Sequence, residues 1–139
     1  VKKFELLQKT AEALRLSSDY KWTSAARCNI GHLVLVARGV RPTAAEFWQG
    51  GGGGAWCRRG QDNHVLAWLN AEYGLTRRDI ESIELLNDRS IIRLLSRRGI
   101  QPAPMFNRSR LYVAAYLDAM SRREKRRERQ RIRPNALLK

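Results

Sequence analysis

The sequence predicts an all-α fold, a compact bundle of about six short helices with a basic C-terminal helical arm. Three observations carry this expectation. Apolar residues recur at helical spacing along most of the chain, and no stretch shows the sustained two-residue alternation of a half-buried strand. Residues that start and stop helices follow one another at short intervals, as in bundles with short loops. The charge is gathered toward the C-terminus, where an apolar helix face gives way to arginine.

The elements follow in order. The first helix covers residues 2–16, with Phe4, Leu7, Ala11 and Leu14 on one face, and Ser17-Ser18-Asp19 ends it. Ser24 is placed to cap a second helix over 25–38, and Gly39 suits its C-terminal cap. Thr43 and Glu46 have capping-box spacing after Pro42, so a short helix begins there. Asp62 or Asn63 caps a helix over 64–73 that Gly74 closes. Thr76 and Asp79 repeat the capping signature for a helix to about Leu86, and Asp88 caps another over 89–98 before Gly99. Gln101-Pro102-Ala103-Pro104 reads as a rigid connector, and the last helix starts near Asn107 or Ser109. The organisation expected is a helical body over 1–104 with a Gly-rich loop at 49–61. A final helix over 105–139 docks on this body and continues into the arm.

The 139 residues suit one domain of ordinary size, and 43% apolar residues suffice for a core. Against 13 acidic residues stand 27 basic ones, a formal charge of +14. Such a surplus repels itself in the free protein and points to a polyanionic partner. Counting along the sequence, residues 1–104 carry 16 basic and 10 acidic side chains, and residues 105–139 carry 11 and 3. More than half of the excess therefore sits in the last quarter.

Several classes are disfavoured. The uncharged run over residues 28–37 is far short of the ~20 apolar residues of a spanning helix. The charged start lacks the apolar stretch of a signal peptide. Two cysteines are too few for a disulfide-dense scaffold. A cytoplasmic protein without a membrane partner is expected. No acid/base pair stands out by spacing, so neither an enzyme nor a small-molecule substrate is expected.

The arm carries the functional expectation. Arg122, Arg123, Lys125, Arg126, Arg127, Arg129, Arg131 and Arg133 fall within twelve residues, and from Ser121 to Arg131 there is no large aliphatic side chain. A helix lacking an apolar stripe must project into solvent or lie against something charged. A dozen helical residues reach roughly 18 Å. Arginine outnumbers lysine seven to one there, and guanidinium groups bind phosphate bidentately and stack on bases. Membrane lipid fits less well, because a surface-bound helix needs an apolar face. RNA is preferred to DNA, since arginine-rich segments that order on binding are a common RNA mode. A ribosomal or ribosome-associated protein, within a ribonucleoprotein assembly, fits the size and the extension.

Further candidates are weaker. In the helix pair over 76–98, Arg89, Arg93 and Arg97 recur every four residues as a basic stripe. Ile80, Ile83 and Leu86 would pack against Ile91, Ile92, Leu94 and Leu95, which gives the alternative of a DNA-binding regulator, though the turn lacks the expected glycine. Trp48 and Trp56 flank five consecutive glycines, residues 50–54, and Arg58 and Arg59 follow. Trp56 could stack an unpaired base, or anchor a loop end in the core as Trp22 and Trp68 do. Cys28, His32, Cys57 and His64 could form one tetrahedral zinc site and stabilise a protein-interaction module. Their order matches no common zinc pattern, so no cofactor is the primary expectation.

Overall fold

The computed structural model describes residues 2–47, 56, 63–102 and 109–137, with side chains to residue 132. Among these residues the fold is all-helical, with no strand. Six α-helices follow in order: α1 (Lys3–Leu16), α2 (Asn29–Arg38), α3 (His64–Tyr73), α4 (Arg77–Leu85), α5 (Arg89–Arg97) and α6 (Arg110–Leu137). A single 3-10 turn, Ala44–Glu46, lies between α2 and α3.

Local chemistry accounts for most boundaries. The Asn63 side chain accepts from the Val65 and Leu66 N–H groups at 2.9 and 3.2 Å and opens α3. Thr76 and Asp79 form a reciprocal capping box at α4, with the Asp79 N–H donating to Thr76 Oγ1 and the Thr76 N–H to Asp79 Oδ2. Asp88 Oδ1 accepts from the Ser90 and Ile91 N–H groups at α5, and Ser109 Oγ accepts from those of Leu111 and Tyr112 at α6. Gly39 and Gly74 close α2 and α3 at φ of 80° and 72°. Leu86 ends α4 in the same left-handed region, φ 53°, a conformation glycine adopts more easily. Its side chain is almost wholly buried, which offsets the backbone cost.

The second helix begins later than its sequence suggests. Ser24 does not cap it; the chain turns over residues 21–27 and α2 starts after Cys28. Two side-chain donors use the Ala25 carbonyl, Trp56 Nε1 at 3.1 Å and Cys28 Sγ at 3.5 Å, and Arg41 Nη1 uses that of Ala26 at 3.2 Å. This folded-back turn lies on Gly31, where a Cβ would come within 2.3 Å of the Ala26 carbonyl oxygen. The glycine is needed for that approach and not for its own backbone angles.

The core is organised along α6. Leu6, Leu7, Ala11 and Leu14 of α1 are buried, as are Val113, Tyr116, Leu117 and Met120 of α6. The two helices run antiparallel and form the largest helix–helix contact. Ile30, Leu33 and Val34 place α2 on α1, α4 packs on α2 and α3, and α5 packs on α6. Buried polar groups stitch the layers. Asn29 Nδ2 donates to the Ile83 carbonyl at 2.8 Å while its Oδ1 accepts from Tyr20 at 2.6 Å. The Tyr116 hydroxyl meets Ser82 Oγ at 2.7 Å and accepts from the Asp88 N–H at 3.1 Å. Nearer the surface, half-buried Glu46 receives Arg38 through two bonds, 2.7 and 2.6 Å, and the Thr43 N–H at 2.8 Å. Arg38 and Thr43 together hold the Glu46 carboxyl down at about 2.

Gly31→Ala tests the close approach. The methyl group meets backbone and not a movable side chain, so a loss of about 3 kcal/mol in denaturant unfolding is expected, the upper end for overpacking.

Candidate nucleic-acid interface

The eight basic residues of the arm are sorted by helix geometry. At 100° per residue, Arg122, Lys125, Arg126 and Arg129 stand at i, i+3, i+4 and i+7 and share one face. All four are exposed, and among the described residues none pairs with a carboxylate. Lys125 lies over the Phe4 ring at 5.7 Å from its centre. Arg123 and Arg127 point the other way. Arg123 Nη1 donates to Asp88 Oδ2 at 2.7 Å and to Ser90 Oγ at 3.2 Å, and Arg127 Nη1 donates to Glu124 at 3.1 Å. Arg131 is exposed near Tyr73 and Gly74 at the end of α3. The Arg133 side chain lies outside the described residues.

The first part of the polar stretch docks on the body. Ser121 Oγ donates to the Phe4 carbonyl at 2.6 Å. Buried Glu124 lies 3.3 Å from Lys3, and Glu128 is 2.5 Å from Lys2. Lys3 also meets Asp79 at 2.7 Å. Of the two expectations for a helix without an apolar stripe, residues 121–128 follow the second: they lie against charge, and the charge belongs to the body. Nearer the helix start, Arg15 pairs with Asp118, and Arg110 donates to the Leu14 carbonyl at 3.3 Å.

The second basic set lies on α5. Arg89, Arg93 and Arg97 are exposed, opposite buried Ile91 and Leu95. Ile80, Ile83 and Leu86 share one core with Ile91 and Leu95, and that core extends beyond the pair: α4 also packs on α2 and α3, and α5 on α6. The helices part at the Leu86 turn, and a groove of about 950 Å³ opens between α4, the start of α5 and α6. Arg89 lines it together with Arg123 and Arg127 of the arm. Arg77 and Arg78 line it too, and they were absent from the residues singled out by sequence. A signal for them exists, because two arginines in the first turn of a helix oppose its macrodipole.

Trp56 has a structural place. Trp56 is 2% exposed; its ring meets Phe47 at 5.5 Å, and its indole and backbone N–H groups donate to the Ala25 carbonyl and to Glu84. Its surface is used by the core, which corrects the base-stacking expectation in favour of the loop anchor. Cys57, Arg58 and Arg59, with residues 50–54 and Trp48, lie outside the described residues.

For the zinc set, Cys28 and His32 meet at the start of α2, but with other partners. His32 Nδ1 faces the Cys28 carbonyl at 3.1 Å, a pure acceptor, so Nδ1 carries the proton. Its Nε2 lies 2.8 Å from Ser17 Oγ and 3.7 Å from Asp19. Both ring nitrogens are thus engaged by protein. Burial pushes the Cys28 thiol up to about 11, which disfavours the thiolate a metal needs. The His64 side chain is 78% exposed, beside Glu46 at 3.3 Å. Among the described residues no three His, Cys, Asp or Glu are grouped to hold a metal ion. No helix among them is long and apolar enough to cross a membrane.

Comparison with protein-family models, with curated proteins and with solved structures finds no significant match.

Asp88 joins the arm to the body and shows it in its titration. Burial works against its charged form, but Ser90, Arg123 and the Ile91 N–H outweigh it and hold the carboxyl at about 2. Asp88→Asn keeps a capping side chain and removes the charge. A loss of about 1 kcal/mol is expected at neutral pH, a charge-assisted bond discounted for partial exposure. Because the folded value lies below the ordinary 3.8, the wild-type advantage is complete above 3.8 and vanishes as pH falls through about 2. Urea unfolding of both forms across that range reads it.

Proposed function

We propose that this protein is a non-enzymatic, cytoplasmic nucleic-acid-binding protein whose α6 contacts phosphates, with structured RNA preferred to DNA. The observation that carries the reading is the outward row of Arg122, Lys125, Arg126 and Arg129. The inward basic residues have carboxylate partners within the protein, whereas this row has none among the described residues. Like charges four apart repel by a few tenths of a kcal/mol each, and Arg122 with Arg126 is such a pair. Phosphates set against the row would remove that repulsion and release counterions. Three of the four cations are arginine, which grips phosphate oxygens bidentately. Arg93 and Arg97 would extend the contact along α5. A place in a ribonucleoprotein assembly, such as the ribosome, accords with this reading.

The alternative of a DNA regulator drew on a self-contained helix pair over 76–98. In the structure the pair is built into the larger core, with α4 also on α2 and α3 and α5 on α6, and is not set apart as a separate reading module.

The test replaces Arg122, Arg126 and Arg129 together by glutamine and measures affinity for an RNA hairpin and a DNA duplex from 50 to 300 mM salt, about the range in which phosphate contacts dominate. The slope of log affinity against log salt should fall by about 2, near 0.7–0.9 per contact. The hairpin should bind more tightly than the duplex at equal salt. Identical slopes and affinities for variant and wild type would remove α6 from the interface.

A further inference from the structure

We infer that the groove between α4, α5 and α6 is a second phosphate track, in which the sugar-phosphate backbone of a nucleic-acid strand lies against Arg78 and Arg89, with Arg127, already paired to Glu124, at its α6 wall. This rests on the nucleic-acid reading above and adds a surface on the body to the row on α6. Three features of the groove carry it.

Its lining is entirely polar or charged, without one apolar side chain among the described residues. Small-molecule sites of comparable volume, ~300–1,000 Å³, are mostly apolar with a few polar groups. A site of this size built from charge suits a hydrated polyanion and not a metabolite.

The positive charge is also concentrated against the grain of the helices. Arg77 and Arg78 open α4 and Arg89 opens α5, at the positive ends of both macrodipoles. Acidic residues are the stabilising choice there. Arg78 and Arg89 are exposed and pair with no carboxylate among the described residues. Their placement costs the free protein stability and becomes favourable when an anion enters the groove.

Finally, the acids in the groove are mostly spent. Asp79 is paired with Lys3 and caps α4, and Asp88 is paired with Arg123 and caps α5. Glu81 is exposed and remains as a local opposing charge. The Asp88–Arg123 bridge also fixes α6 against the start of α5, so the groove walls hold their spacing before a strand arrives.

The experiment compares wild type, Arg78→Gln with Arg89→Gln, and the triple glutamine variant of the α6 row. Each is titrated with a 12-nucleotide single-stranded RNA across a salt series, and separately with inorganic pyrophosphate. The groove double variant should lose about 1.4 from the salt slope, roughly 0.7 per contact on a single strand, additively with the triple variant. Its melting temperature should equal or exceed that of wild type, because two cations leave positive helix ends. A double variant with unchanged slope and affinity beside a weakened triple variant would overturn the groove while leaving the α6 reading intact. Absence of salt-dependent RNA binding by wild type would overturn both. Pyrophosphate binding that depends on Arg78 and Arg89, with the RNA slope untouched, would mark a small-anion site and overturn the strand assignment.

Discussion

The antiparallel contact between α1 and α6 is the constraint from which the other arrangements follow. Over its first part it is apolar, with Leu6, Leu7, Ala11 and Leu14 meeting the buried side of α6. At Ser121 the chemistry of the interface changes but its geometry does not. The Ser121 hydroxyl takes the Phe4 carbonyl, and Lys3 and Lys2 then meet Glu124 and Glu128 one turn apart. A helix cannot rotate one half against the other without breaking its backbone hydrogen bonds. The apolar half therefore sets the azimuth of every side chain in the polar half.

That azimuth turns a run of cations into distinct surfaces. In the sequence, Arg122 and Arg123 are neighbours with the same chemistry. In the structure, Arg122 faces solvent, while Arg123 is half-buried on Asp88 and forms a wall of the groove. Arg126 and Arg127 are both exposed, but Arg127 pairs with Glu124 and lines the groove, whereas Arg126 does neither. Net charge alone treats these residues as equivalent, whereas their free energies of interaction with an external phosphate differ. A guanidinium already bonded to a carboxylate must give up or share that partner, and one on the open face need not.

Legibility in the sequence follows the range of the interaction. Asn63, Thr76 with Asp79, Asp88 and Ser109 cap their helices through bonds spanning two or three residues, so spacing alone finds Thr76 with Asp79 and Asp88 and narrows the other two to Asp62 or Asn63 and Asn107 or Ser109. The all-helical class and the amphipathic stripes are legible for the same reason. The start of α2 is not, because the 21–27 turn is held by Arg41 and Trp56 and by the close approach at Gly31. Lys2 and Glu128 are 126 positions apart, and nothing in the local pattern pairs them. The candidate site divides likewise. The α6 row can be read from a helical wheel once the docked face is known, while the union of Arg77, Arg78 and Arg89 with Arg127 needs the tertiary packing.

The acidic residues of the arm take on a different meaning in this light. Within an isolated helix, Glu124 and Glu128 merely dilute the repulsion among arginines. Against the body they are anchors: each meets a lysine at the start of α1, and a segment of pure arginine would instead repel Lys2 and Lys3. Glu124 is buried at that contact, and burial of an unpaired carboxylate is costly, so Lys3 and Arg127 both serve as its partners and hold it in place. The acids thus hold the inward side down by electrostatics where no aliphatic side chain is present to do so. An arm of arginine alone would take the same azimuth from the apolar half but would have nothing to hold its inward side against α1. The interleaved glutamates supply that hold, at a cost of two units from the net charge.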